Sequence, residues 1–286
     1  MKKWLRELRI THYLKNCLIF LPAFFGGTIT SASMWRNLLV GFVCFCLGAS
    51  AVYLMNDVKD IEKDRMHPQK CNRPVASGEI TTVQAVIAAM LLICLCFFIL
   101  SFCTQGDIRK DALLVFAVYL ADNFFYSVFG LKKIPLLDVT LLVLGFFLRV
   151  LMGSVLTKIE ISSWLYFVVI TGAFFLAFGK RRNELRAIGS QGRDVLAGYT
   201  ENFLDKAMYS CMTMANIFFA LWCIQMGEEK KRMILVPMLL LICFKYSMDI
   251  EAGQSDGEPM NVILHDKVLV AIGLAFVALL CMILYL

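Results

Sequence analysis

Apolar residues in this chain come in long blocks separated by short polar stretches. The blocks lie near 14–32, 36–58, 82–104, 110–128, 135–156, 162–180, 203–225, 232–249 and 266–286. A helix needs about 20 apolar residues to cross a hydrocarbon core of ~30 Å. The blocks have about that length, and no strand pattern or soluble domain remains between them. The spacing therefore predicts an all-α integral membrane protein: nine transmembrane helices in a single polytopic domain over 1–286. The first block is broken by Pro22 and Gly26-Gly27. The eighth is short and carries Lys245.

Composition agrees. Hydrophobic residues make up 59% of the 286, with a mean hydropathy of +0.72, whereas a soluble domain is nearer 45–50% apolar. The 11 cysteines lie almost entirely inside apolar blocks. Cys44/Cys46 and Cys94/Cys96 are two apart, which on a helix points them different ways. They read as small packing residues rather than as a metal or disulfide framework. Three histidines argue against a His-rich metal site.

Charge sets the orientation. The net charge of +6 suits membrane lipids and anionic substrates, with no call for nucleic acid. The N-terminus, 57–80, 129–134, 181–202 and 250–265 fall on one side and hold most of the Lys and Arg. By the positive-inside rule that side is cytosolic, in an inner membrane, with the C-terminus outside. Ser31-Ala32-Ser33 faintly resembles a cleavage site. The many later spans favour a first membrane helix with a basic cytosolic collar. Exposed apolar surface faces lipid here, which leaves homo-oligomerisation open.

The densest chemistry runs from Asn56 to Gly78. Asp57, Asp60 and Asp64 follow the second apolar block at offsets of three and seven, which on a helix share a face. Three carboxylates so close repel unless a cation holds them. Hard oxygen ligands suit Mg²⁺, which takes one or two carboxylates plus substrate phosphates. The partner implied is a metal-bound phosphate or diphosphate. Lys59, Lys63, Arg65, Lys70 and Arg73 supply cations for its remaining oxygens.

A second constellation, Gly179-Lys180-Arg181-Arg182-Asn183-Glu184-Leu185, ends the sixth block on the same side. Lys180 and Glu184, at i,i+4, share a face. A basic collar with a solvated salt bridge is the plain explanation. The repeated geometry, a helix end leading into a polar loop of about 20 residues, instead suggests two half-sites closing one cytosol-facing cavity, capped by 57–80 and 181–202.

The Asn-Asp-x-x-Asp-x-x-x-Asp motif at Asn56, Asp57, Asp60 and Asp64 resembles that of the UbiA superfamily of intramembrane prenyltransferases. The resemblance is nearer to its decaprenyl-phosphate phosphoribosyltransferase branch. Lys15-Asn16, His67-Pro68-x-Lys70-x-x-Arg73-Pro74, Ser77-Gly78, Tyr126-Ser127, Leu131-Lys132, Asp138, Arg149, Gly153, Gly179-Lys180-Arg181, Glu184-Leu185, Pro259 and Asp266 carry it. It implies a UbiA-like nine-helix bundle and transfer of the 5-phosphoribosyl group from phosphoribosyl pyrophosphate to a polyprenyl phosphate. Prenyl transfer from a prenyl diphosphate to an aromatic acceptor is the alternative within the superfamily. Such members commonly carry a second Asp-rich motif, where this chain has Lys180 and Arg181. A transporter or lipid-binding protein is the reading without chemistry.

The resemblance assigns roles. Asp57, Asp60 and Asp64 hold Mg²⁺, and Asn56 bonds the ribose or a metal-bound water. Lys70 and Arg73 contact donor phosphates. Lys180 and Arg181, with Lys15, contact the lipid phosphate. Glu184 orients Lys180 or binds a hydroxyl. Tyr126 is a ribose or phosphate contact, or an interfacial anchor. Lys132 is a phosphate contact or an inside charge. His67 reads as turn structure. Asp138 and Arg149 are eleven apart on one helix, too far to pair with each other, so each needs another partner.

Overall fold

A computed structural model describes residues 2–29, 32–66, 70–188, 193–225, 229–252 and 259–285. His67 and Pro68 lie outside the described residues. The order is α1 (Lys2–Glu7), a 3₁₀ run (Ile10–Phe20), α2 (Leu21–Phe25), α3 (Ala32–Lys59), α4 (Ile61–Met66), α5 (Thr82–Cys103), α6 (Gly106–Ser127), α7 (Leu137–Thr157), α8 (Ser163–Ile188), α9 (Glu201–Gln225), α10 (Glu229–Arg232), α11 (Leu235–Ala252), α12 (Pro259–His265) and α13 (Lys267–Tyr285). Short 3₁₀ turns lie at Lys70–Asn72, Leu131–Lys133 and Asp194–Gly198.

Among the described residues six helices are long and apolar enough to cross a membrane: α3, α5, α7, α8, α9 and α13. The protein is an all-helical integral membrane protein. The first predicted span is instead a 3₁₀ run passing into a single α-helical turn and a half. Pro22 sits in the first turn of α2, where its missing N–H costs nothing, and Gly26 and Gly27 end it. The fourth span, α6, carries Asp107, Arg109, Lys110, Asp111 and Asp122. The eighth, α11, carries Lys245 and Asp249. α5 shows many exposed large apolar residues, Val83, Ile87, Met90, Leu91, Leu95, Phe98 and Phe102 among them. That is the surface expected of a helix bathed in lipid.

The chain divides into two compact units, Met1–Gly130 with Leu148–Glu160, and Leu131–Phe147 with Ile161–Leu286. In the first, α3 and α5 pack along one another, and Cys44 and Cys96 each donate to the other's carbonyl across the interface. The 3₁₀ run lies so close to α7 that a Cβ on Gly153 would come 2.0 Å from the Ile19 carbonyl oxygen. Only glycine allows that approach. In the second unit α8 and α9 pack along their lengths around a core that includes Phe175, Phe178, Leu204, Met208, Met212 and Tyr246.

Candidate active site

The acidic motif straddles a helix break. Asp57 sits in the last turn of α3, Asp60 in the turn after it, and Asp64 on α4. Helical hydrogen bonding nevertheless continues through the break, from Asp60 N to Asn56 O at 2.9 Å and from Asp64 N to Asp60 O at 2.8 Å. The seven-residue offset therefore still turns Asp57 and Asp64 to one side. Both are buried, while Asn56 and Asp60 are half-buried.

The loop that follows folds back over them. Arg73 N bonds Lys70 O, Ser77 N bonds Arg73 O, and Ile80 N bonds Pro74 O. Gly78 takes a φ of +82°, which favours glycine, and Arg65 Nε holds the Ala76 carbonyl at 3.2 Å. A reciprocal cap closes the loop: Thr81 Oγ1 accepts from Gln84 N and Gln84 Oε1 from Thr81 N, each at 3.2 Å. Val75 and Ile80 are buried beneath it against Ala51 and Leu54, with Trp4 and Leu8 of the N-terminal segment packed on the same cluster.

This fold-back delivers Arg73 between the two aspartates. Its Nη1 donates to Asp57 Oδ1 at 3.0 Å and to Asp64 Oδ2 at 2.6 Å. A second guanidinium arrives from the N-terminus: Arg9 Nη2 donates to both Asp57 oxygens, at 2.6 and 2.5 Å. The Arg9 guanidinium also lies 4.7 Å from the centre of the Tyr53 ring. Glu7 is buried beside Asp57 at 1% exposure, and neither of its oxygens has a well-formed hydrogen bond. Burial pushes its carboxyl up to about 7, and the Asp57 carboxylate adds to the push. Neither Arg9 nor Glu7 stood out in the sequence, because both sit inside what reads as a basic collar. One signal was there: Glu7 is the only carboxylate before Asp57.

Among the described residues no three of His, Cys, Asp and Glu stand ready as a metal cage. Two carboxylates, Asp57 and Asp64, converge on one cation, and that cation is Arg73. The donors are hard oxygens arranged around a positive charge, a set that fits Mg²⁺ completed by substrate phosphate. Lys70 lies half-buried at the start of the same loop, three residues before Arg73.

Other predicted residues gather in the same unit. Lys59, between Asp57 and Asp60, caps the end of α6 by donating to the carbonyls of Ser127 and Val128. This brings the last turn of α6, with half-buried Tyr126, to the acidic motif. Lys15 is half-buried on the 3₁₀ run. Its neighbour Asn16 is buried, accepts from Arg149 Nε at 2.7 Å and donates to Cys46 Sγ at 3.2 Å. Arg149 also lies 5.1 Å from the centre of the Tyr119 ring. The partner that Arg149 needs at membrane depth is thus Asn16, with an aromatic face.

The second unit answers for Asp138. Arg181 Nε donates to its Oδ2 at 2.6 Å and the Tyr199 hydroxyl to its Oδ1 at 2.6 Å. The Tyr199 oxygen in turn accepts from Leu136 N at 2.7 Å. Burial pushes the Tyr199 phenol up, and the bond to Asp138 reinforces it. Arg181 Nη1 also donates to Glu184 Oε2 at 2.6 Å, and Arg193 faces Glu184 Oε1 at 3.4 Å. Arg181 was expected to hold a lipid phosphate. At 1% exposure between two carboxylates it has little surface to offer one. Glu184 thus meets both Arg181 and Arg193. Lys180 is half-buried beside this cluster, and half-buried Lys132 lies in the Leu131–Lys133 turn, whose last residue, Lys133, pairs with Asp194 at 3.0 Å.

A model of the UbiA prenyltransferase family matches residues 19–248. The chain is 32% identical to a decaprenyl-phosphate phosphoribosyltransferase of Corynebacterium glutamicum, over 98% of this chain and 86% of that one. It is 31% identical to the protein of the same name in Mycolicibacterium smegmatis, over 96% and 89%. A UbiA homologue from Archaeoglobus fulgidus, solved with GPP and Mg²⁺, superposes with a TM-score of 0.74 at 20% identity, over 98% of this chain and 97% of that one. The chain belongs to the UbiA prenyltransferase family.

Proposed function

We propose that this membrane transferase moves the 5-phosphoribosyl group from phosphoribosyl pyrophosphate to a polyprenyl phosphate, with Mg²⁺, releasing pyrophosphate. The observation that carries the reading is the similarity of about 30% along nearly the whole chain to relatives named for that activity. The residues are consistent with it. One acidic pair suits a single metal-bound diphosphate, and the Gly179-Lys180-Arg181 element brings cations where a second acidic motif would bind a further metal.

Asp57 and Asp64, with Asp60 beside them, would hold the metal, and the metal would neutralise charge on the departing diphosphate. Lys70 and Arg73 would grip donor phosphates and Asn56 the ribose. Lys180 and Lys15 are each candidates for holding the lipid phosphate. An oxygen of that phosphate attacks C1 as the bond from C1 to the pyrophosphate oxygen breaks, and the bonding electrons leave with pyrophosphate. A phosphate monoester is largely ionised at neutral pH, so the step needs no strong general base. Fixed guanidinium and ammonium groups favour the separated charge of that transition state. The Lys/Arg asymmetry puts this chemistry on the cytosolic face. With α2 and its 3₁₀ run, α6 and α11 also spanning, nine segments cross the membrane and the C-terminus lies outside.

The test is transfer in nanodiscs of label from ribose-labelled phosphoribosyl pyrophosphate into polyprenyl phosphate. Label enters the lipid phase, transfer stops with EDTA, and Asp57→Asn lowers the rate ~10²–10³-fold. If no label moves while the folded protein prenylates an aromatic acid from a prenyl diphosphate, the alternative within the family replaces this reading.

A further inference from the structure

Arg9 carries an inference that rests on the reading of Asp57 and Asp64 as the carboxylates of a divalent cation. Two guanidinium groups stand on Asp57 at once, and its Oδ1 accepts from both Arg9 and Arg73. Both lone pairs of Oδ1 are therefore engaged, and Oδ2 accepts from Arg9 as well. The Asp57 and Asp64 side chains are only 4% and 5% exposed, whereas those of Arg9 and Arg73 are 21% and 30% exposed. The arginines cover the carboxylates from the accessible side. A divalent cation approaching Asp57 meets both their positive charges and their hydrogen bonds.

The exchange conserves charge. Two carboxylates carry two negative charges, and two guanidinium groups balance them. One divalent cation balances them equally. We propose that Arg9 and Arg73 are resident counter-ions which the incoming cation displaces from Asp57 and Asp64, and that Arg9 then turns its donors to phosphate oxygens on that cation. Arg9 is thus a phosphate-contacting residue supplied by the N-terminal segment.

Two further features fit Arg9 to this part. It has a second seat, the face of Tyr53, one helical turn before Asp57, which attracts a guanidinium whether or not Asp57 is occupied. Its backbone takes φ 52° and ψ 52° at the start of the 3₁₀ run, a left-handed conformation unusual for a side chain of this size. The segment around it is anchored apart from Asp57. Ser50 Oγ donates to the Leu8 carbonyl at 2.9 Å, Lys3 Nζ to the Glu79 carbonyl at 2.8 Å, and Arg6 pairs with Glu79 at 2.7 Å. The guanidinium can leave Asp57 without releasing the segment that carries it.

The test measures Mn²⁺ binding by electron paramagnetic resonance on the full chain in detergent, without substrate, and then pyrophosphate binding at saturating Mn²⁺. Wild type binds Mn²⁺ and Asp57→Asn does not. Arg9→Gln removes a competing cation, so it binds Mn²⁺ roughly tenfold more tightly while binding pyrophosphate roughly tenfold more weakly. A merely structural Arg9 would weaken both or neither. If Arg9→Gln does not fold, Arg9→Lys reads the same competition: tighter Mn²⁺ and weaker pyrophosphate by smaller factors. Should wild type take no Mn²⁺, or Asp57→Asn bind it equally well, the metal reading of the acidic motif falls and this inference with it. Should wild type and Asp57→Asn behave as expected while neither Arg9 variant binds Mn²⁺ more tightly, the metal reading stands and the exchange is wrong. Tighter Mn²⁺ with unchanged pyrophosphate binding overturns the phosphate contact.

Discussion

Asp57 and Asp138 are both buried aspartates that accept from arginine at 2.5 to 3.0 Å, yet their surroundings differ in kind. Around Asp138 everything is internal. The carboxylate is 0% and Arg181 1% exposed, and Tyr199 takes the remaining oxygen. Around Asp57 the guanidinium groups reach the surface, and Arg73 is shared with Asp64. A dry pair cannot be dissolved without leaving an uncompensated charge. A pair with accessible partners can be exchanged for another cation. The same residue types thus build a fixed strut in the second unit and a replaceable charge balance in the first.

Removing a partner from the strut has the largest expected effect on stability. Arg181→Met leaves the buried Asp138 carboxylate without its cation and costs about 3–5 kcal/mol. The loss should show as a lower midpoint in thermal or denaturant unfolding in detergent, equal with and without Mg²⁺. A midpoint restored by Mg²⁺ would mean that Asp138 accepts a divalent cation in place of Arg181, and would erase the contrast. Tyr199→Phe keeps the ring but removes the hydrogen bond to the Asp138 carboxylate and the acceptor of Leu136 N, at a cost of about 1.5–3 kcal/mol. Combined with Arg181→Met it should cost less than the sum of the two, because both partners serve one carboxylate. Thr81→Ala, which opens the cap closing the acidic loop, should cost about 1 kcal/mol. Its effect should reach the first unit's site by raising the KM for the proposed donor, with little change in kcat.

Much of this was legible in the chain. Offsets of three and seven identify Asp57, Asp60 and Asp64 as neighbours, and the continued helical bonding across the break keeps Asp57 and Asp64 facing one group. Arg73 is nine positions beyond Asp64, within reach of a short loop, and its association with the motif was readable. Arg9 was not. It lies 48 positions before Asp57, and in sequence it is one more cation in a basic terminus. The partner of Glu184 shows a subtler ambiguity. Spacing pointed to Lys180 at i,i+4, and the structure adds Arg181 at i,i+3; that second contact depends on packing against Asp138, which spacing within one helix does not report. The first apolar block was read as a helix by length, although Pro22 and the glycines favour the broken 3₁₀ form that its fit against Gly153 allows.

By itself the sequence determined the helical class, the membrane as solvent, the acidic motif and the cationic element on α8. Each follows from patterns within a few turns of chain, where hydrophobic period, charge and spacing are local quantities. Tertiary structure alone decided which cation meets which carboxylate, because ion pairing depends on distance and burial between segments far apart in the chain. It set Arg181 in a dry pair and Arg9 in an accessible one, and so separated a strut from a site.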